Sequence, residues 1–224
     1  RLIASRRAPA GAERLPRRKA EGEGGCGVIG IAASDRIAGR HLLQALRQMR
    51  NRGNGKGGGI AAAGLEPGVL GADAALLARD YLLAVAYLDP AARAEVEEAF
   101  IGRTFVVDHA ADVPERPGRP EGVDIAPPRV RCYFVRVRDD VRERWVRAHG
   151  LEAAGDGVVD DEIVYQHTYR LNRAFYASTG ERRAFVLSHG RDLLVLKMVG
   201  YGDDVVRHYR LEDVRAHVWI GHHR

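Results

Sequence analysis

Residues 24–31, GGCGVIGI, constrain the fold of this chain more than any other stretch. Three of its glycines spell G-x-G-x-x-G, the dinucleotide-binding fingerprint, which requires a strand before the glycines and a helix after them. Here the polar segment RRKAEGEG precedes the glycines and a β-branched apolar run follows, as is typical of a buried strand. We therefore predict a strand over Cys26–Ala33 and no nucleotide site.

A second glycine-rich stretch, NRGNGKGGG, occupies residues 51–59 and also precedes a small apolar run at Gly59–Leu65. It is not a phosphate-binding loop, because no Ser or Thr follows its single lysine. So many glycines indicate positive φ angles or the close approach of another backbone or a ligand. Between the two glycine-rich stretches, Leu42, Leu46 and Met49 fall on one face of a predicted helix.

The rest of the chain alternates helical and strand patterns. Proline-rich residues 112–129 are predicted as a linker or long loop, since five of the nine prolines lie there. The remaining predictions are two helices within 72–101, a strand at 129–139, mostly helix over 140–180, a hairpin around residues 189–192, a short helix near 203–209, and a last strand from Arg215 to the end.

Composition places the chain among ordinary globular proteins, with 224 residues, 46% hydrophobic and 29% charged. No apolar run reaches membrane-spanning length, so we expect no membrane partner. Two cysteines, Cys26 and Cys132, do not make a disulfide framework. Free thiols in such a protein indicate a cytoplasmic location.

The net charge of +5 is concentrated at the start of the chain, where the first 19 residues carry seven basic side chains and one acidic side chain. A basic tail before a near-neutral body is typical of a solvated segment, and a nucleic-acid or membrane arm is the alternative. We predict no nucleic-acid partner.

Cys26 and the histidines are the candidates for chemistry. A free cysteine is commonly a small buried hydrophobe, which is how we interpret Cys132. Cys26 differs because it opens a strand directly after a glycine-containing segment that a protease could cut. His222 and His223 are adjacent in a predicted strand and point to opposite faces, so they cannot chelate one ion. We predict no metal site.

Two blocks carry a resemblance to a known family. CGVIGIAAS with MRNRGNGKGGGIAAAGL resembles the opening of the class II glutamine amidotransferases, which belong to the N-terminal-nucleophile hydrolases. The block AFVLSHGRDLLVLKMVGYGDDVVRHYRLEDVRAHVWIGHHR is similar to the glutaminase domain of glutamate synthase. The blocks cover about residues 26–65 and 184–224. The resemblance implies an α+β fold, a four-layer αββα sandwich, with residues 66–180 as an inserted helical and small α+β lobe.

The resemblance also implies the site. Cys26 would be the nucleophile, with its own α-amino group as the base once residues 1–25 are removed as a propeptide; a mis-assigned start is the alternative. Arg224 would bind the α-carboxylate of glutamine, and Arg52 and Gly53 would support the site. The chain itself would hold no cofactor. Its partner would be a glutamate synthase subunit carrying FMN and an iron–sulfur cluster.

One departure from the family is important. The family's oxyanion hole uses an Asn-Gly pair and a further Asp orients the substrate amine, and both would lie beyond Arg224. The resemblance therefore implies that residues 26–224 are the N-terminal part of a catalytic domain, inactive alone. Two alternatives stay open: an amidotransferase for another acceptor (an amino sugar, a phosphoribosyl compound or aspartate), and a non-catalytic regulatory module on the same scaffold.

Overall fold

The computed structural model describes residues 25–177 and 180–224. All but the last residue of the predicted propeptide, 1–25, therefore lies outside the described residues. Within them the chain is an α+β protein with two four-stranded antiparallel sheets, so the predicted class is confirmed at that level. No described helix is both long and apolar enough to cross a membrane.

The described residues form eight strands and seven helices, with short 3₁₀ segments at Gly39–His41, Arg50–Arg52 and Val69–Gly71 and a π-helical turn at Glu97–Ile101. The strands are β1 (Gly27–Ala38), β2 (Gly58–Leu65), β3 (Tyr81–Tyr87), β4 (Phe105–Asp112), β5 (Arg129–Val137), β6 (Ala184–Ser188), β7 (Leu193–Met198) and β8 (Arg215–His223). The helices are α1 (Leu42–Gln48), α2 (Ala74–Arg79), α3 (Ala92–Val96), α4 (Gly102–Thr104), α5 (Asp139–His149), α6 (Asp156–Phe175) and α7 (Gly202–His208).

The first sheet has the strand order β1-β8-β2-β7 and joins both ends of the described chain. Its two central strands, β8 and β2, come from opposite ends of the sequence. The strands β1 and β2, which follow the two glycine-rich stretches, both pair with β8. At one end of the sheet Gly27, His223, Gly58 and Met198 form a single row across the four strands. Residues that flank this row are therefore neighbours in space.

The two faces of the first sheet differ in exposure. One face packs against α1 and α7: a Cβ at Gly221 would lie 2.7 Å from Leu46 Cδ2, and one at Gly58 would lie 2.3 Å from the backbone of Tyr201. The opposite face is open to solvent, although it is apolar. Its side chains include Val28, Val218 and Ile220, which are 61%, 37% and 46% exposed.

The second sheet, with the order β4-β5-β3-β6, is covered on both faces. One face shares a core with α1, α7 and the first sheet, and contains Leu82, Cys132 and Phe134. The other face packs on α3, α5 and α6 through residues such as Val85, Val135 and Ile163. Burial on both sides explains why β3 is apolar along its whole length.

One local prediction is incomplete and one is wrong. Residues 72–101 are not entirely helical: α2 and α3 lie there as predicted, but Tyr81–Tyr87 between them forms a central strand in which all seven residues are buried. A short apolar run of this kind does not distinguish a buried strand from a buried helix. Nor do β6 and β7 pair as a hairpin, since β6 pairs with β3 in one sheet and β7 with β2 in the other. At the turn where the chain passes from β6 in one sheet to β7 in the other, Asp192 accepts a hydrogen bond from Leu65 N at 2.7 Å.

Residues 66–192 make an excursion of the chain away from the first sheet, with a later end than the predicted insertion at 66–180. The chain leaves the first sheet after Leu65, builds the second sheet and its helices, and returns at Leu193. β2 and β7, which flank this excursion, are hydrogen-bonded neighbours. Residues 113–128 contain no regular helix or strand, as predicted for the proline-rich segment.

Candidate functional site

Cys26 is exposed and stands one residue before β1. Gly27 pairs with His223 in the antiparallel register of β1 and β8. Cys26 and Arg224 each lie one residue beyond this pair, at the same end of the two strands. Both residues are exposed.

The glycine-rich loop holds the backbone of Arg224 on its other side. Arg224 O accepts hydrogen bonds from Asn54 N at 2.7 Å and from Gly55 N at 3.0 Å, and Arg224 N donates to Gly57 O at 2.7 Å. Three backbone hydrogen bonds fix the residue on its backbone while its side chain stays exposed. A rigid backbone holds the side chain of a binding residue in a defined position at a site.

Glycine is required in this loop mainly because other backbone comes close. A Cβ at Gly53 would lie 2.8 Å from Arg224 O, and one at Gly58 would lie 2.3 Å from Tyr201 C. Gly55 alone among residues 53–59 has a positive φ, 73°. The sequence left both explanations open, and the structure favours close approach.

An ion pair anchors the turn that carries Arg52. Arg50 donates from Nε and Nη2 to the two carboxylate oxygens of Asp203, at 3.0 and 2.8 Å, and it also lies over the ring of Tyr201. Asp203 is fully buried, and its hydrogen bonds to Arg50 raise the pKa of that guanidinium. Arg52 follows on the 3₁₀ turn, with its Cβ 3.2 Å from where a Cβ on Gly27 would stand. The predicted residues Cys26, Arg52, Gly53 and Arg224 are thus gathered at one end of the first sheet.

The two adjacent histidines have different environments, as the alternation of a strand predicts. His223 is fully buried; its Nδ1 accepts from Gly202 N at 2.8 Å, and its Nε2 lies 2.7 Å from Leu46 O and donates to it. It therefore ties β8 to α1 and α7. His222 lies on the opposite face. Among residues 25–177 and 180–224 no group of three His, Cys, Asp or Glu side chains is placed to hold a metal ion.

A cleft of about 550 Å³ opens beside Arg224, and Cys26 is not among its lining residues. Its polar wall carries Lys56, Lys197, His222 and Arg224, and none of its described lining residues is acidic. Its apolar wall comes from the proline-rich segment and the second sheet, including Ile125 and Phe185. Such a cleft suits a small ligand with a carboxylate at one end.

Comparison with known proteins shows similarity to an uncharacterized protein. No protein-family model matches the chain. The chain is 29% identical, over 205 residues, to an uncharacterized protein of Archaeoglobus fulgidus, an alignment that covers 89% of the chain and 46% of that protein. The chain therefore spans about half the length of this relative.

The sequence predicted four residues of this site, and the structure adds Lys56, Lys197 and His222 from the wall of the cleft. Lys197 lies on β7 and His222 on β8, and both occupy alternate strand positions that face the open side of the sheet. Lys56 pairs with Gly200 in an isolated bridge next to the same cleft. Only the pairing of β2 with β7 and β8 brings them to Arg224, so no local signal identified them.

Proposed function

We propose that this chain is the cysteine-bearing part of a class II glutamine amidotransferase. The observation that carries the proposal is the placement of Cys26 and Arg224 at the same end of the first sheet, with the glycine-rich loop after Gly53 holding the backbone of Arg224. An exposed thiol and a cleft with basic and apolar walls, both at the same end of the first sheet, fit a substrate with a carboxylate and a side-chain amide.

In this proposal the reaction is thiol attack on the amide. The sulfur of Cys26 bonds to the carbonyl carbon of glutamine while the α-amino group accepts the thiol proton and passes it to the leaving nitrogen. Ammonia departs, a thioester remains, and water releases glutamate. The α-amine suits this work because its ordinary pKa is about 8, well below that of lysine. It exists only when Cys26 is the first residue.

The proposed fold is the four-layer αββα sandwich. On one side of the first sheet α1 and α7 supply a helical layer. The sandwich requires a second sheet against the other side, where Val28, Val218 and Ile220 are exposed. We propose that residues of a longer protein supply this sheet, the oxyanion Asn-Gly pair and the amine-binding Asp. A relative about twice as long as this chain is consistent with that.

The proposed partner that receives the ammonia is a glutamate synthase subunit with FMN and an iron–sulfur cluster, in the cytoplasm. The similarity of the 184–224 block to glutamate synthase supports this choice. An amino sugar, a phosphoribosyl compound or aspartate is the alternative acceptor class, which a test of ammonia transfer with each purified synthase would separate.

Labelling tests the site without requiring turnover. A diazoketone analogue of glutamine should alkylate Cys26 in protein that begins at Cys26, and glutamine should protect it. Arg224→Gln should weaken that protection by about 30-fold or more, since a charged partner of the carboxylate is lost. Arg103→Gln removes the same charge from an exposed position on α4 and should leave protection unchanged.

A second arm tests the amine. One extra residue in front of Cys26 should abolish the analogue reaction while a simple haloacetamide still alkylates the thiol. Labelling that glutamine does not protect would contradict the proposed substrate. Equal labelling with and without the extra residue would remove the α-amine from the mechanism and favour the regulatory-module alternative.

A further inference from the structure

A cavity of about 650 Å³ lies away from the candidate site, between the end of α1, residues 116–121 and α7. Its volume is within the range of about 300–1,000 Å³ that is typical of small-molecule sites. Three separate segments of the chain bring guanidinium groups to its wall, whereas only two lining residues, Glu121 and Asp204, are acidic. The arginines are Arg47, Arg50, Arg116, Arg119 and Arg207.

Three of these arginines are held in place by carboxylates behind the wall. Arg50 and Arg207 both donate to the buried carboxylate of Asp203, Arg207 at 3.1 Å. Arg116 donates to Glu212 at 2.7 Å. A guanidinium has five N–H donors, so each of them retains donors for a ligand. Their positions are set before any ligand arrives, which reduces the entropic cost of binding.

The other cavity groups are under-satisfied within the described part of the chain. Arg119 donates only to a backbone carbonyl, Asp124 O, and Arg47 Nε lies 3.9 Å from the nearest oxygen of Asp203. His208 also lines the cavity, is 5% exposed, and its Nε2 has no hydrogen-bond partner among the described residues. A buried polar nitrogen without a partner is uncommon and calls for an explanation.

We propose that this cavity binds a small anion that carries several phosphate groups. Planar guanidinium forks match phosphate oxygens in pairs, and several forks around one cavity suit more than one phosphate. The site is separate from the cleft beside Arg224, with which it shares no lining residue. It does not depend on the proposed amidotransferase activity. A free inorganic polyphosphate and a nucleoside triphosphate both present this chemistry.

Calorimetric titration with inorganic tripolyphosphate, at about 150 mM salt to screen surface charge, tests the site. Wild type should bind saturably with one equivalent. Arg47→Gln combined with Arg119→Gln should weaken binding by about 10- to 100-fold, because two charge-assisted contacts are lost. Both side chains are exposed, so the doubly substituted protein should keep the wild-type melting temperature. A parallel titration with a nucleoside triphosphate shows whether the base adds affinity.

Two matched controls make the result specific. Arg103→Gln removes an exposed arginine on α4 that does not line the cavity, and Lys197→Gln removes a basic side chain from the other cleft. Both should change the dissociation constant by less than about threefold. The proposal is overturned by the absence of saturable binding to wild type, by an unchanged constant in the double variant, or by equal weakening in either control.

Discussion

Gly53→Ala tests whether the glycine-rich loop must touch the backbone of Arg224. The new Cβ would stand 2.8 Å from Arg224 O and 2.9 Å from His223 Cβ, about 0.6 Å short of an ordinary contact at 3.4 Å. Because backbone cannot rotate away, the loop must move and stretch the hydrogen bonds from Asn54 and Gly55 to Arg224 O. Overpacking of this kind costs about 1–3 kcal/mol. Alanine also lowers the conformational entropy of the unfolded chain relative to glycine, which stabilises the folded protein by about 0.4–1 kcal/mol.

The expected net loss is therefore about 1–2 kcal/mol in the free energy of unfolding. Gly57→Ala is the matched control in the same loop, because its Cβ would meet nothing closer than Arg224 Cβ at 4.0 Å and its φ is not positive. That variant should be neutral or slightly stabilised. Urea unfolding followed by tryptophan fluorescence measures both, since Trp219 is 1% exposed in the fold. If the two variants agree within about 0.5 kcal/mol, the close approach does not constrain the loop.

Three further predictions use other parts of the molecule. A haloacetamide at neutral pH should label exposed Cys26 and spare buried Cys132, because burial raises the pKa of the Cys132 thiol. Peptide mapping of the labelled protein before and after denaturation checks this. Labelling of Cys132 before denaturation would contradict its burial. His223→Leu should destabilise the protein by about 2–4 kcal/mol because two buried backbone groups lose their partner, while His222→Leu on the open face should change the melting temperature little. Burial lowers the pKa of His167 to about 4 in the folded protein, below the ordinary value of about 6.5. The neutral side chain of His167 therefore contributes fully to the stability of the fold above pH 6.5, and this contribution is lost as the pH falls toward 4. His167→Leu should remove about 2–3 kcal/mol of that pH dependence in urea unfolding curves, and parallel wild-type and variant profiles would contradict this.

The sequence by itself was informative wherever a local pattern had one physical explanation. Leu42 and Leu46 at helical spacing both became fully buried on α1. The predicted strand from Arg215 to the end is observed as β8, with His222 and His223 facing opposite sides as predicted. The apolar run after Cys26 predicted a strand, which is observed as β1. In each case neighbours within a few residues determine the outcome.

Tertiary structure decided what depends on contacts between distant residues. The run Tyr81–Tyr87 is apolar on both faces, so only its pairing with β5 and β6 makes it a strand. The turn at 189–192 joins two sheets because Asp192 binds the end of β2, which is 127 residues earlier. Likewise, Lys197 and His222 reach the cleft of Arg224 through the register of β2 between β7 and β8. A register is a property of a pair of strands, and a single strand's pattern leaves the partner undetermined.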